Sequence, residues 1–193
     1  MKRTISILVE KDSGGLVRII SLLTRRRFRI ESITMAACER KCYERIIIVV
    51  LNQSDGGDAA DQLAKQLRKL INIIQVQDIT YLPLVQRELF LIKLHVNLVE
   101  RAEISTLAQV FRFKIIDITD STLILEVTAD SGKITALRKI LEKFKILQLV
   151  RTGEIALIRE SLVNTGSLKE DSNFKINSSK NYLQEIKDVF NKD

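Results

Sequence analysis

The sequence has no tryptophan, and only one proline and one histidine among its 193 residues; aromatics make up 5%. Hydrophobic residues reach 46%, enough for ordinary cores, so those cores must be aliphatic, built from Ile, Leu and Val. Cys38 and Cys42 are the only cysteines. That number excludes a disulfide framework, and with a single histidine it leaves too few ligands of the usual types for a four-ligand zinc site. The pair reads as two unpaired thiols in a reducing compartment. No apolar run approaches the roughly 18–20 residues that cross a bilayer, so a soluble chain without a membrane partner is expected. The start, Met1 to Glu10, is basic and then apolar, but it alternates and turns charged at Glu10, Lys11 and Asp12, which marks a strand rather than a signal peptide. Neither G-x-x-x-x-G-K-[ST] nor G-x-G-x-x-G occurs, so nucleotide binding has no support.

Chemistry-bearing residues are equally sparse. His95, the sole histidine, sits in an alternating strand with no Ser, Cys or acid arranged near it as a nucleophile, and it reads as a packing or surface residue. Asp117 and Asp120 flank a hairpin, where carboxylates serve turn chemistry. No catalytic, cofactor-binding or metal-binding residue is assigned, and the chain does not read as an enzyme.

What is present is a pattern that runs twice. Thr4–Glu10 is a short apolar strand, followed by turn formers at Lys11 to Gly15 and a helix with Leu16, Ile19, Ile20 and Leu23 on one face. Strands follow at Ile30 to Ala37 and Tyr43 to Leu51, joined by a charged hairpin over Cys38 to Cys42. A second helix places Leu63, Leu67, Leu70 and Ile71 on one side, and Ile73 to Tyr81 returns as a strand. After a linker at 83–86, opened by Pro83, the order repeats: strand Arg87 to Val96 and a helix from Glu100 with Ile104, Leu107, Ala108 and Phe111 on one face. A hairpin of Ile115 to Thr119 and Thr122 to Thr128 follows, then a helix capped by Asp130 with Ile134, Leu137 and Leu141, and a strand Ile146 to Ile158 broken near Gly153. The fold class is α+β, two tandem ferredoxin-like βαββαβ modules, 1–82 and 87–160. Residues 161–193, rich in Ser, Asn, Lys and Asp, read as a mobile tail, with Tyr182, Leu183, Ile186, Val189 and Phe190 on one face of a short terminal helix as the alternative.

The segment with chemical content is Lys11-Asp12-Ser13-Gly14-Gly15-Leu16. A helix N-terminus leaves backbone N–H groups unpaired with positive partial charge, and two glycines let a ligand approach that backbone, so a carboxylate fits there. A tight turn with nothing bound uses the same residues. The net charge of +7 attracts polyanions or an acidic protein surface, and Arg25, Arg26, Arg27 and Arg29 offer either a solvated helix end or a docking patch. RNA binding is the rival that the charge favours, yet the central strands of the first module are aliphatic apart from Tyr43 and lack an RNP signature. A small-molecule transferase on the same scaffold is the second rival.

A set of short motifs in order across both modules resembles the small subunit of acetohydroxyacid (acetolactate) synthase. They are Ile7-Leu8-Val9-Glu10, Ser13-Gly14-Gly15-Leu16, Arg18, Phe28, Ile30-Glu31-Ser32-Ile33-Thr34, Glu44-Arg45 and Lys65 to Leu70. The second module adds Arg87-Glu88-Leu89, Phe111-Arg112, Ile115 to Thr119, Thr128 with Ser131-Gly132-Lys133, and Arg151-Thr152-Gly153. The resemblance implies an N-terminal ACT domain that pairs with a second copy, binds valine or a related amino acid at the shared interface, and so stimulates and feedback-inhibits a catalytic (large) subunit. That partner uses thiamine diphosphate; this chain holds no cofactor. It implies effector-binding residues Lys11, Asp12, Gly14, Gly15 and Leu16, with Ile30 and Thr34 contributed across the interface and Gln62 nearby, and a bacterial cytoplasm or plastid stroma as the location. Lys11 and Arg29 stand where the family usually has Asn, and Arg27 where it usually has Gly, which implies weakened or retuned valine sensing with stimulation kept.

Overall fold

The computed structural model describes residues 2–11, 14–51 and 58–159. Asp12, Ser13 and the tail expected at 161–193 lie outside them. Contacts divide the chain into two compact units, one running to Val85 and resuming at Ala156, the other Gln86–Ile155.

The first unit is βαββαβ. β1 (Lys2–Glu10) leads into α1 (Gly15–Arg25), then β2 (Arg29–Ala37), β3 (Tyr43–Leu51), α2 (Asp58–Leu67) and β4 (Ile73–Asp78). The antiparallel sheet has the order β2-β3-β1-β4, so the β-branched β3 is central and β2 lies at an edge. Alternation along the strands sends Ile5, Ile7, Val9, Ile46, Ile48, Val50 and Val76 into one aliphatic core with Ile19, Leu23, Leu63 and Leu67 from the helices. Register fixes direction: Lys2, Leu51 and Arg29 align at one end of the sheet, while Glu10 and Tyr43, with Ala37 and Glu44, align at the other.

The second unit repeats the order with β5 (Leu84–His95), α3 (Leu98–Phe111), β6 (Lys114–Ile118), β7 (Thr122–Ala129), α4 (Ser131–Leu141) and β8 (Lys145–Arg151). Its strands are ordered β6-β7-β5-β8. Phe90, Ile92, Leu94, Leu123, Leu125 and Val127 pack against Ile104, Ile134, Leu137 and Leu141. Both units are ferredoxin-like, as expected.

Several boundaries differ from the sequence reading. Ile71 is 92% exposed because α2 stops at Leu67 and a turn follows, with Lys69 N donating to Gln66 O and Leu70 N to Leu67 O. β4 ends at Asp78, whose side chain accepts from Thr80 N at 3.0 Å and turns the chain. Leu84, Val85 and Gln86, read as linker, belong to β5, and Pro83 O just before them accepts from Arg159 N at 2.8 Å. The break expected near Gly153 is present: the last strand is divided into β8 and β9 (Ile155–Ile158), with Gly153 at a φ of 88° between them, and β9 pairs with β5.

Candidate effector site

The loop between β1 and α1 is held from both sides. Lys11 N donates to Cys42 O at 2.9 Å, and Glu10 N donates to Asn72 O at 3.0 Å. These bonds tie the end of β1 to the β2–β3 hairpin and to the turn before β4. α1 then starts at Gly15, with Arg18 N donating to Gly14 O at 3.1 Å as its first helical bond. Gly14, at the cap position, has no side chain to offer the first-turn amides, and that turn contains no acid. The amides of Gly15, Leu16 and Val17 therefore have no intrahelical acceptor and sum to a site of positive partial charge. Among the described residues, no heavy atom comes within 4 Å of the place where a Cβ on Gly15 would stand. These donors are of the kind that a small anionic group accepts from, and Gly15 itself is buried.

The remaining expected residues are not all gathered in one chain. Lys11, Gly14, Gly15 and Leu16 are together, Lys11 exposed and Leu16 half-buried. Arg29 and Ile30 lie at the opposite end of the sheet, paired with Leu51 and Val50, eight β1 positions from Glu10. At a strand rise of about 3.4 Å per residue that is roughly 27 Å. Thr34 stands midway, opposite Ile47. Gln62 is exposed on the earlier half of α2. Asp12 lies outside the described residues. Two residues that sequence reasoning did not assign to the site belong to its frame: Arg18 Nη1 donates to Asn72 Oδ1 at 3.0 Å, bracing the first turn of α1 against the turn before β4.

The other described residues add no reactive constellation to this loop. His95 is exposed at the end of β5 opposite Thr122 and Lys145. Asp120 sits in the β6–β7 turn, where Thr119 N donates to Thr122 O and Arg101 Nη2 reaches the carbonyls of Thr119 and Asp120 at 2.6 and 2.9 Å. Among the described residues no group of three or more His, Cys, Asp or Glu side chains is placed to hold a metal ion. No described helix is long and apolar enough to cross a membrane.

Comparison with known proteins supplies the family. The profile described as the small subunit of acetolactate synthase matches residues 87–160, and that of the ACT domain matches 11–76. The acetolactate synthase small subunit of Bacillus subtilis is 38% identical over 169 residues, which cover 88% of this chain and 97% of that protein. The chain belongs to the acetolactate synthase small-subunit family. It is a family of the enzyme's small subunit, not of its catalytic one. The crystal structure of the small subunit from Thermotoga maritima superposes with a TM-score of 0.75 at 32% identity, covering 82% of this chain and 98% of that one. Acetolactate synthase small subunit 2, chloroplastic, of Arabidopsis thaliana is 40% identical over 164 residues. The match takes in 85% of this chain but only 33% of that protein, so the chain spans about a third of the plant relative's length. On this chain the ACT match begins at Lys11, the residue that opens the glycine loop.

Proposed function

We propose that the chain is the regulatory subunit of acetolactate synthase: it binds the thiamine-diphosphate-dependent catalytic subunit, stimulates it, and makes it responsive to valine or a related branched-chain amino acid. The observation that carries the sensing half is the start of α1, whose first-turn amides lack an intrahelical acceptor and a side-chain cap from Gly14, with no acid in that turn and, among the described residues, no atom within 4 Å of a Cβ on Gly15. These are the features a free amino acid's carboxylate requires. The membership in the small-subunit family supports the partner.

Sensing works through a homodimer of first units. β2 is an edge strand that runs in the same direction as β1, both being antiparallel to β3, and an isologous antiparallel pairing of β2 with β2 carries the Arg29–Ile30 end of one copy to the Ala37 end of the other. In each chain the Ala37 end is the Glu10 and Lys11 end. The dimer thus gathers Arg29, Ile30 and Thr34 from one copy toward Lys11, Gly14, Gly15 and Leu16 of the other, with Gln62 as a further contributor. Valine shifts activity because it binds one packing of this dimer better than another, a coupling of about 1–3 kcal/mol. Lys11 and Arg29 put two cations at this site, and feedback is retuned relative to relatives with neutral residues there. A bacterial cytoplasm or a plastid stroma suits the chain, whose relatives include a bacterial and a chloroplast protein.

The test is acetolactate synthase activity of a purified catalytic subunit from the same source, with and without this protein, across a valine titration. Stimulation that valine reverses at altered concentration is expected. Stimulation that no amino acid reverses removes the sensing half, and absence of stimulation removes the whole reading. Calorimetric titration of Lys11→Asn beside the parent protein tests the retuning: unchanged valine affinity refutes it.

A further inference from the structure

The β2–β3 hairpin carries both cysteines of the chain, and neither has a part in the function proposed above. Ala37 and Glu44 are the last paired residues of the two strands, so Cys38 and Cys42 stand on opposite sides of the short loop that joins them. Tyr43 N donates to Arg40 O at 3.2 Å, which closes a turn over Arg40 to Tyr43, within the loop that carries both cysteines. Cys38 Sγ lies 3.6 Å from Arg40 O, directed into the loop, and it is half-buried; Cys42 is exposed. Side chains brace the hairpin around them: Glu39 Oε1 accepts from Arg45 Nη2 at 3.0 Å, and the Arg40 guanidinium sits over the Tyr43 ring at 6.0 Å. Two reduced thiols are therefore confined to one loop, one of them open to reagents.

The same loop is attached to the effector site. Cys42 O is the acceptor for Lys11 N at 2.9 Å, which extends the β1–β3 ladder by one step beyond the Glu10–Tyr43 pair. Any change in the backbone of Cys42 is thus transmitted by one hydrogen bond to the residue that opens the glycine loop.

We propose that Cys38 and Cys42 are a reversible redox site: oxidised to an intrachain disulfide, they move the backbone of Cys42 and loosen its bond to Lys11. The oxidant is a protein or small-molecule disulfide. A thiolate of the pair attacks it to form a mixed disulfide, and the second thiolate displaces the oxidant's remaining sulfur. The S–S bond of the oxidant breaks and that of Cys38–Cys42 forms. Two electrons and two protons pass to the oxidant, which leaves as a dithiol or as two thiols. A bridge confined to so short a loop is of the labile kind that a reducing compartment reopens. Disulfide formation confines the two Cα atoms to about 4.4–6.8 Å, and Lys11 N, hydrogen-bonded to Cys42, follows. The coupling to amino-acid sensing rests on the function proposed above; the disulfide and its effect on Lys11 do not.

The experiment uses the full chain, reduced and then equilibrated in buffers of reduced and oxidised glutathione. Intact mass after alkylation is expected to show a monomer that has lost two hydrogens and takes no alkyl group, restored to two alkylations on reduction. Amide hydrogen exchange at Lys11 is expected to quicken by at least about tenfold in the oxidised form, while β5 and β7 stay protected. Cys38→Ser and Cys42→Ser each abolish both changes. Persistence of two alkylatable thiols under oxidising buffer, an interchain disulfide in place of the intrachain one, or unchanged exchange at Lys11 overturns the proposal. Valine titration of the two forms separates the readings. A difference in affinity of at least about fivefold, the low end of ordinary allosteric coupling, supports the link to sensing, and equal affinities sever it. No valine binding by the reduced form counts against the effector reading, while the thiol result stands on mass and exchange.

Discussion

Arginine occupies the left-handed backbone region twice, and at equivalent places. α1 is followed by Arg27 with a φ of 58°, and α3 by Arg112 with a φ of 52°. In each case the next residue is phenylalanine, whose N–H closes the helix end: Phe28 N donates to Leu23 O at 3.1 Å and Phe113 N to Ala108 O at 3.2 Å. These are six-to-one bonds of the Schellman type, completed at α1 by Arg27 N to Thr24 O at 3.0 Å. Glycine is the residue that such a position favours, and its absence costs each helix end about 1 kcal/mol of backbone strain, less glycine's own entropy. Arg27→Gly and Arg112→Gly are therefore each expected to raise stability by about 0.5 kcal/mol, read as a shift of the urea midpoint at constant slope. At Gly15 the opposite substitution is informative. A Cβ there meets open space among the described residues, so Gly15→Ala is expected to leave the urea midpoint within about 0.5 kcal/mol of the parent. It nevertheless intrudes on the space beside the first-turn amides, and valine affinity by calorimetry is expected to fall at least about tenfold. Retained affinity would move the effector away from this helix end.

At the scale of elements, apolar periodicity disclosed nearly every helix and strand because each buries one face in an apolar core. What it missed lay in side-chain turns. α3 begins two residues before the expected Glu100, because Asn97 and Glu100 form a reciprocal box: Asn97 Oδ1 accepts from Glu100 N and Glu100 Oε2 from Asn97 N, both at 2.8 Å. Asp130, by contrast, was legible, and it accepts from Lys133 N at 2.8 Å. The glycine loop was legible too, from helix-end physics alone. Its bracing by Arg18 and Asn72 was not, since those residues are 54 apart in sequence and meet only through the pairing of β1 with β4. The two caps give a paired prediction. Asp130→Ala is expected to cost about 1 kcal/mol, and Asn97→Ala more, up to about 2 kcal/mol, because it removes one half of the box and leaves the Glu100 carboxylate poorly placed for the other. Denaturation of the two variants by urea checks the order; an Asp130→Ala loss as large as that of Asn97→Ala would show that the box adds nothing.

For the whole molecule, the decisive step is the one a single chain cannot take. Its candidate effector residues are split between two ends of one sheet, roughly 27 Å apart by strand rise, and Arg29 and Ile30 have no route to the glycine loop within their own chain. Edge strands of native proteins are covered or blunted with charge. β2 ends instead in Met35, Ala36 and Ala37, all exposed and uncharged. The proposed pairing of two β2 strands would answer both facts at once, since the antiparallel partner would cover the edge and bring its Arg29 to the end of the sheet that carries the loop. Ala36→Glu tests this without harming the fold: Ala36 is exposed, and Arg45 stands opposite it on β3 as a counter-charge. In a centred antiparallel pairing the new carboxylate faces the second copy's Ile30. Desolvating it there costs about 3 kcal/mol, or roughly a hundredfold in the dimer dissociation constant. Sedimentation at micromolar concentration is expected to show monomers for this variant where the parent is dimeric, with valine affinity lost in the same concentration range. A variant that remains dimeric and binds valine as the parent does would place the interface, and with it the shared effector site, away from β2.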